Sequence, residues 1–257
     1  MAVLLSALGV LALYMSSLFV VALVRKNNGI ADVGYGIAFL VVSAAAVYFS
    51  PAVSVSSLLL CVPLFVWAFR LAFRIYRKNR GKPEDFRYKA WRDAWGTTFV
   101  WRSFLQVYML QGVVIFLVAL PITLAVAFPS AVFSSAMLWG GLLIWVIGFL
   151  FEAVGDAQLD RFIRNPENKG KIMQSGLWKF SRHPNYFGES MMWWGLAIAS
   201  AGMTTYPFVV CVSPLLITFL LLKVSGVPML EKRWEGNPEW ESYKAKTSVF
   251  VPLPPRR

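Results

Sequence analysis

The sequence predicts an all-α, polytopic membrane protein with seven transmembrane helices. The first reason is composition, because 58% of the 257 residues are hydrophobic, against about 45–50% in soluble domains. The second is distribution: the apolar residues fall into blocks near the roughly 20 residues that a helix needs to cross a bilayer. The third is that the connections between blocks alternate between short uncharged stretches and longer basic ones.

The predicted spans succeed one another without an internal repeat, so we expect one domain covering residues 1–257. The first span has neither a basic n-region nor a small-residue cleavage site. We therefore interpret it as a membrane helix rather than a removable signal peptide. The predicted spans are 4–24, 33–49, 56–73, 104–128, 135–154, 186–201 and 207–224.

Basic residues predict the orientation of the chain. Nearly all of the 25 Lys and Arg residues follow the first, third, fifth and seventh spans. The positive-inside rule then places the N-terminus outside and the C-terminus in the cytoplasm. Orientation and contact with anionic membrane lipids account for most of the net charge of +12, so we expect no nucleic-acid partner. Segments 74–102 and 161–182 are richer in cations than orientation requires, which predicts a bound cytosolic polyanion.

The start of the second span carries two polar residues, Asp32 and Tyr35, three positions apart and therefore on one helix face. In one interpretation, Asn28 or Asp32 simply caps the helix. In the other, Asp32 holds a proton for a substrate carbonyl, with its affinity for that proton raised by desolvation. Both interpretations remain open at this stage.

The third span ends in a strongly basic stretch, residues 70–96. Arg70 lies too deep in the span to be explained by snorkelling alone. Lys82 follows the turn marked by Gly81, before a dense polar segment. We interpret this stretch either as a solvated interfacial helix or as a cover over the cytoplasmic mouth of a site.

Three acids lie at four-residue spacing where the fifth span ends: Glu152, Asp156 and Asp160. Arg164 follows on the same helix. Carboxylates accept hydrogen bonds from ribose hydroxyls or a carboxamide, and arginines bind phosphates. No spacing typical of a metal site is present, so no metal is predicted. Cys61 and Cys211 lie in apolar runs and are interpreted as small buried hydrophobes.

The densest polar cluster is SGLWKFSRHPNYFGESMMWWG, residues 175–195, which contains His183, the only histidine of the chain. Arg182 and Asn185 flank it, and a membrane helix begins there. Helix N-termini present unpaired N–H groups and a positive dipole end, which suit a phosphate or carboxylate. We interpret the cluster as a phosphate clamp, with a purely structural histidine as the alternative. The amphipathic tail, residues 228–252, either anchors at the interface or closes the site.

The motif GLW…SRHPNYFGE…WWG, residues 176–195, resembles the steroid 5α-reductase superfamily in its bacterial DUF1295-type branch. The resemblance is strongest over 145–257. It implies seven membrane helices and NADPH as the cofactor. The implied reaction reduces the C=C bond of an α,β-unsaturated ketone, most simply a 3-oxo-Δ4-steroid converted to its 5α-dihydro product, in steroid and lipid metabolism.

The resemblance also implies a location and partners. The protein would lie in a bacterial inner membrane, with its active site facing the cytoplasm. A lipophilic enone would enter from the bilayer, and no obligate protein partner is expected.

The same resemblance assigns roles to residues. The family's Gln–Glu pair, which meets the substrate carbonyl, has no clear counterpart, so we nominate Asp32 and Tyr35 as catalytic. Glu152 replaces an amide at the corresponding family position. The implied cofactor-binding residues are Arg70, Lys82, Glu152, Asp156, Arg164, Asn165, Lys171, Arg182, His183, Asn185, Tyr186 and Glu189.

An alternative function is a membrane methyltransferase that uses S-adenosylmethionine. The isoprenylcysteine and phospholipid methyltransferases carry an RHPxYxG-like motif similar to residues 182–188. S-adenosylmethionine has no phosphates, so its pocket needs few arginines. The surplus of basic residues therefore favours NADPH.

Overall fold

The computed structural model describes residues 1–256. Over this range every named element is helical, which confirms the predicted all-α class. The chain forms two compact units. The first contains Met1–Ser134 and Ser200–Val210, and the second contains Ser135–Ala199 together with the residues from Cys211 onwards. That the whole chain acts as one domain stays a prediction.

The first unit begins with three long helices, α1 (Ala2–Arg25), α2 (Ile30–Phe49) and α3 (Val55–Asn79). Helix α2 packs against both α1 and α3. Ser54 caps α3 by accepting a hydrogen bond from the Ser57 amide. Helix α1 buries one stripe at helical spacing and exposes apolar side chains elsewhere, as expected for a lipid-facing helix. The buried stripe consists of Val3, Ala7, Leu11, Met15, Phe19 and Ala22.

The rest of the first unit is an interrupted helical stretch. It comprises α4 (Phe86–Trp95), α5 (Phe99–Arg102), a π-helical segment (Ser103–Met109), α6 (Leu110–Val118) and α7 (Leu120–Ala127). Pro121 lies in the first turn of α7. Since proline has no N–H and disfavours a preceding helical residue, the helix breaks just before it.

The second unit is built on α8 (Ser135–Arg164) and α9 (Pro184–Ala201). Glycines let the two backbones approach closely. A Cβ on Gly141 would lie 2.4 Å from the Gly195 carbonyl oxygen, and one on Gly148 would lie 2.7 Å from the Gly188 carbonyl oxygen. Small residues at membrane-helix interfaces permit this kind of packing. Gly155, seven residues further along, meets the start of α9.

The remainder of the second unit comprises α10 (Val212–Phe219), a π-helical turn (Leu220–Val224), α11 (Val227–Glu231) and α12 (Pro238–Lys246). Asn237 caps α12 by accepting hydrogen bonds from two backbone amides. Trp240 and Tyr243 of α12 form a buried cluster with Ile172 and Trp234. The amphipathic tail is therefore packed into this unit rather than free.

Six helices within residues 1–256 are long and apolar enough to cross a membrane: Ala2–Arg25, Ile30–Phe49, Val55–Asn79, Phe86–Val118, Ser135–Arg164 and Val209–Trp234. Seven spans are thus not confirmed. The predicted sixth span corresponds to α9, which carries polar residues in its first two turns and has no exposed residue. The fourth begins at Phe86 instead of 104. The positions of the termini relative to the membrane stay predictions.

Candidate functional site

The segment leading into α9 is fixed by the chain that follows α12. The Arg182 amide donates to the Ser248 carbonyl over 2.8 Å. The Ser181 hydroxyl donates to the Phe250 carbonyl over 2.7 Å. Burial raises the pKa of the Tyr243 phenol, which stays protonated and donates to the Trp178 carbonyl. The backbone before the helix is therefore held by α12 and by the residues after it.

Arg182 and His183 are buried at the start of α9, with 8% and 4% of their surfaces exposed. Both meet the carboxylate of Glu231. His183 Nε2 lies 2.9 Å from Glu231 Oε1, and Arg182 Nε lies 3.4 Å from the same oxygen. The Arg182 guanidinium also lies over the Trp240 ring at 5.7 Å. The His183 ring stacks on Tyr186, with centroids 5.4 Å apart and planes inclined by 8°.

Several polar atoms in this cluster are buried without a hydrogen-bond partner in the described structure. They are Nε and Nη1 of Arg182, Nδ1 of His183 and Oδ1 of Asn185. A buried unsatisfied polar group costs about 1–3 kcal/mol, more when it is charged. Four such atoms on residues 182–185, beside the N-terminus of an 18-residue helix, are the arrangement expected where a polar or anionic ligand completes the bonding.

The acidic stripe of α8 reaches this cluster at Asn185. Asn185 Nδ2 donates to Asp156 Oδ1 over 3.2 Å. Asp156 and Glu152 are each only 4% exposed. The close approach of Gly155 to the Asn185 amide nitrogen, where a Cβ would lie at 3.3 Å, brings the two helices together here. The structure thus brings the half-buried Asn185 to the buried Asp156, and the buried Glu152 lies one turn earlier on α8.

The other predicted cofactor residues of the second unit have different environments. Arg164, Asn165 and Lys171 are exposed. Asn165 caps the short turn Pro166–Asn168 by accepting a hydrogen bond from the Glu167 amide over 3.1 Å. This contact supports a structural role for its side chain. Glu189 is half-buried in the second turn of α9.

Asp32, the predicted catalytic acid, is held by two residues of α4 within the first unit. The Tyr88 hydroxyl donates to Asp32 Oδ1 over 2.6 Å. Arg87 Nη2 donates to Asp32 Oδ2 over 3.1 Å. Tyr88 is 5% exposed, whereas a quarter of the Asp32 side chain remains accessible. Asp32 therefore does not cap α2, whose N-cap residue is Gly29 and which has no side-chain cap.

A second carboxylate, Glu84, joins the loop before α4 to the start of α2. It accepts two hydrogen bonds from Arg92, of 2.8 and 3.0 Å, and one of 2.7 Å from the Asn28 amide. Burial alone would raise the pKa of Glu84, but the hydrogen bonds from Arg92 and Asn28 hold it below its ordinary value. Asn28 Nδ2 in turn donates to Ser103 Oγ over 2.7 Å.

The remaining predicted residues of the first unit are Tyr35, Arg70 and Lys82. Tyr35 packs edge-on against Phe39, with ring centroids 5.1 Å apart. Arg70 is half-buried near the middle of α3, and Lys82 is exposed in the loop between α3 and α4. The roles assigned to these three residues stay predictions.

Sequence reasoning missed two residues of these clusters. Tyr88 and Glu231 each bond a nominated residue, but they stand 56 and 48 positions away from it in the chain. No periodic pattern relates positions so far apart. The sequence offers one signal for both residues: each lies in a polar segment that follows a long apolar run.

No group of three or more His, Cys, Asp or Glu side chains within residues 1–256 is arranged to hold a metal ion. Fold and site together define a helical membrane protein with a buried, partly unsatisfied cationic cluster at one helix N-terminus.

The particular family follows from sequence comparison. The family described as "Protein of unknown function (DUF1295)" matches residues 18–247. This is the steroid 5α-reductase-like family, and the chain belongs to it. The predicted resemblance is therefore confirmed.

Curated relatives match shorter parts of the chain. The 3-oxo-5-alpha-steroid 4-dehydrogenase 1 of Bos taurus is 37% identical over 114 residues, which is 44% of this chain and 40% of the relative. The protein of the same name from Macaca fascicularis is 32% identical over 114 residues, with the same coverage of 44% and 40%. The probable O-methyltransferase ustE of Ustilaginoidea virens is 41% identical over 63 residues, 24% of this chain and 22% of the relative.

The chain thus spans less than half the length of each of these curated relatives. No solved structure matches it.

Proposed function

We propose that this protein uses NADPH to reduce the C=C bond of an α,β-unsaturated ketone, most simply a 3-oxo-Δ4-steroid, giving the 5α-dihydro product. The observation that supports the cofactor most directly is the set of buried, unpartnered polar atoms on Arg182, His183 and Asn185. Membership of the steroid 5α-reductase-like family supports the reaction.

The residues of the second unit fit the chemistry of a dinucleotide phosphate. The guanidinium of Arg182 keeps Nε and Nη1 without hydrogen-bond partners, and α9 begins two residues later. Arginine and a helix N-terminus both bind phosphate oxygens well. The buried carboxylates Glu152 and Asp156 are acceptors suited to ribose hydroxyls or a carboxamide. The exposed Arg164 and Lys171 are suited to a 2′-phosphate.

Bound NADPH supplies the hydride that adds to the β-carbon of the enone. The protein then has to stabilise the negative charge that develops on the carbonyl oxygen, and a positioned hydrogen-bond donor does so. We assign this role to the Asp32 cluster, in which the Tyr88 hydroxyl donates to Asp32 Oδ1. A proton supplied through the cluster reaches the α-carbon and completes the reduction. Tyr35 remains a second nominated residue on the same helix.

The proposal includes a location. The protein lies in a bacterial inner membrane with its site on the cytoplasmic side, where NADPH is found. Its apolar substrate arrives through the bilayer, and anionic lipids contact the basic loops. The support is the set of six membrane-length apolar helices and the concentration of Lys and Arg in alternate connections.

A second candidate function is transfer of a methyl group from S-adenosylmethionine. The match to a probable O-methyltransferase over 63 residues favours it. The buried Nη1 of Arg182, which has no hydrogen-bond partner within residues 1–256, weighs against it, because that methyl donor carries no phosphate. The two functions therefore predict different ligands for the same cluster.

Ligand-induced stabilisation of the detergent-solubilised protein tests the proposal. NADPH at 100 times its Kd stabilises a folded protein by about 2.7 kcal/mol, so we expect a higher Tm with NADPH and no change with S-adenosylmethionine. Arg182→Ala should weaken NADPH binding by about tenfold or more, because an arginine–phosphate contact is lost. Arg25→Ala, at an exposed arginine that ends α1 outside both cation-rich segments, is the control and should bind NADPH normally.

The reaction itself is tested by incubating the protein with NADPH and a panel of enone steroids, followed by mass spectrometry. We expect products heavier by two hydrogens. Stabilisation by S-adenosylmethionine alone, or methylated products, would overturn the reductase proposal.

A further inference from the structure

Glu231 at the end of α11 makes two ionic contacts through one oxygen. Glu231 Oε1 lies 2.9 Å from Nε2 of His183 and 3.4 Å from Nε of Arg182. Both partners are more than nine-tenths buried. Burial alone would raise the pKa of Glu231, but its contacts with His183, Arg182 and Lys244 hold it below its ordinary value.

The contact with Glu231 fixes which ring nitrogen of His183 carries a proton. An ionised carboxylate only accepts hydrogen bonds, so at 2.9 Å Nε2 has to be the donor. Nδ1 is then the nitrogen left for another partner, and it is buried without one in residues 1–256. Stacking on Tyr186 holds the plane of the ring. The other nitrogen of a metal- or substrate-binding histidine is commonly oriented by a carboxylate in this way.

Glu231 also orients Arg182. It lies beside the Nε edge of the guanidinium, while Nη1 has no hydrogen-bond partner. The Trp240 ring covers the guanidinium at 5.7 Å. The Glu231 carboxylate and the Trp240 indole restrict the Arg182 side chain, and Nη1 is left as a donor without a hydrogen-bond partner within residues 1–256.

We propose that Glu231 is a positioning residue: it holds His183 with Nε2 protonated and Nδ1 turned to the ligand, and it aligns Arg182 for the same ligand. That this ligand is NADPH rests on the function proposed above. In this proposal Glu231 contacts His183 and Arg182 and not the cofactor. Replacing Glu231 therefore disorders the two cofactor-binding side chains without removing either of them.

The single histidine makes the inference directly measurable. In protein labelled with ¹⁵N-histidine, the two nitrogen resonances belong to His183 alone, and their shifts identify the tautomer without any cofactor. Spectra of the neutral imidazole ring should show Nε2 protonated in the wild type. Glu231→Gln keeps an acceptor oxygen and should keep this tautomer. Glu231→Ala should give a mixture of both.

NADPH binding is the second readout. Glu231→Ala should raise the Kd for NADPH at least tenfold, whereas Glu231→Gln should raise it less, because the amide oxygen still receives the Nε2 proton. The KM for NADPH should follow the Kd, with kcat at saturating NADPH nearly unchanged. The matched control is Glu241→Ala, an exposed carboxylate on α12 whose contact is with Lys244 at 3.9 Å, which should alter neither readout.

A wild-type spectrum with Nδ1 protonated would overturn the inference, and this result needs no variant to fold. An unchanged tautomer in Glu231→Ala would overturn it as well. The expected spectra combined with no NADPH binding by the wild type would instead reject the proposed function and leave the positioning role in place.

Discussion

Replacing Gly188 by alanine tests whether the close approach of α8 and α9 holds the site together. A Cβ at this position would lie 2.4 Å from the Gly148 carbonyl oxygen and 2.5 Å from the Glu152 amide nitrogen. An ordinary nonbonded contact is about 3.5 Å. The helices therefore have to separate by roughly 1 Å to admit one methyl group.

Two opposing terms set the size of the effect. Overpacking of a well-packed contact costs about 1–3 kcal/mol, and more where rigid backbone is the neighbour. Alanine has a higher helix propensity than glycine, which stabilises the variant by up to about 1 kcal/mol. A displacement of about 1 Å would stretch the 3.2 Å hydrogen bond between Asn185 and Asp156 beyond bonding distance. We expect a lower Tm by several degrees and weaker NADPH binding together.

The assay is thermal unfolding in detergent with and without NADPH, with Gly140→Ala as the control. Gly140 lies on the same helix α8, and a Cβ there would meet nothing within 4 Å. That variant should be as stable as the wild type or slightly more stable. A Gly188→Ala protein with wild-type Tm and NADPH affinity would refute the reasoning.

Two further predictions concern the first unit. Tyr88→Phe removes the hydrogen bond to Asp32 but keeps the ring, so kcat should fall while the affinity for NADPH is unchanged. Tyr76→Phe, on the exposed end of α3, is the control. A Tyr88→Phe protein with the kcat of the wild type would contradict the catalytic role of the Asp32 cluster. The lowered pKa of Glu84 means that its contribution to stability is present above about pH 4.3 and is lost as pH falls through the folded-state pKa. Glu84→Gln should therefore lower Tm at pH 7, and the difference from wild type should shrink on acidification; a pH-independent difference would contradict this.

Local patterns predicted much of the molecule. The apolar blocks gave the long helices, because burying a helix in lipid requires an uninterrupted run of apolar residues. Four-residue spacing placed Glu152 and Asp156 on one face of α8, and both are buried there. The polar run around His183 indicated a helix start, and α9 begins at Pro184.

The remaining features of the fold and the candidate site depend on contacts between residues far apart in sequence, which local patterns do not encode. The sequence predicts a membrane span at 186–201. The corresponding helix, α9, has no exposed residue, so its polar and aromatic side chains are buried or half-buried within the protein. The fourth span begins at Phe86 because α4 continues through further helical segments into α6, and local hydropathy does not encode this continuity. The pairing of Asp32 with Tyr88 arises from the fold of the loop between α3 and α4.

The π-helical turn at Leu220–Val224 has an evolutionary consequence. A π turn accommodates one residue more than an α-helical turn. Losing that extra residue would rotate everything after it by about 100° relative to the preceding helix, swinging Glu231 away from His183. Single-residue deletions in this stretch should therefore be selected against.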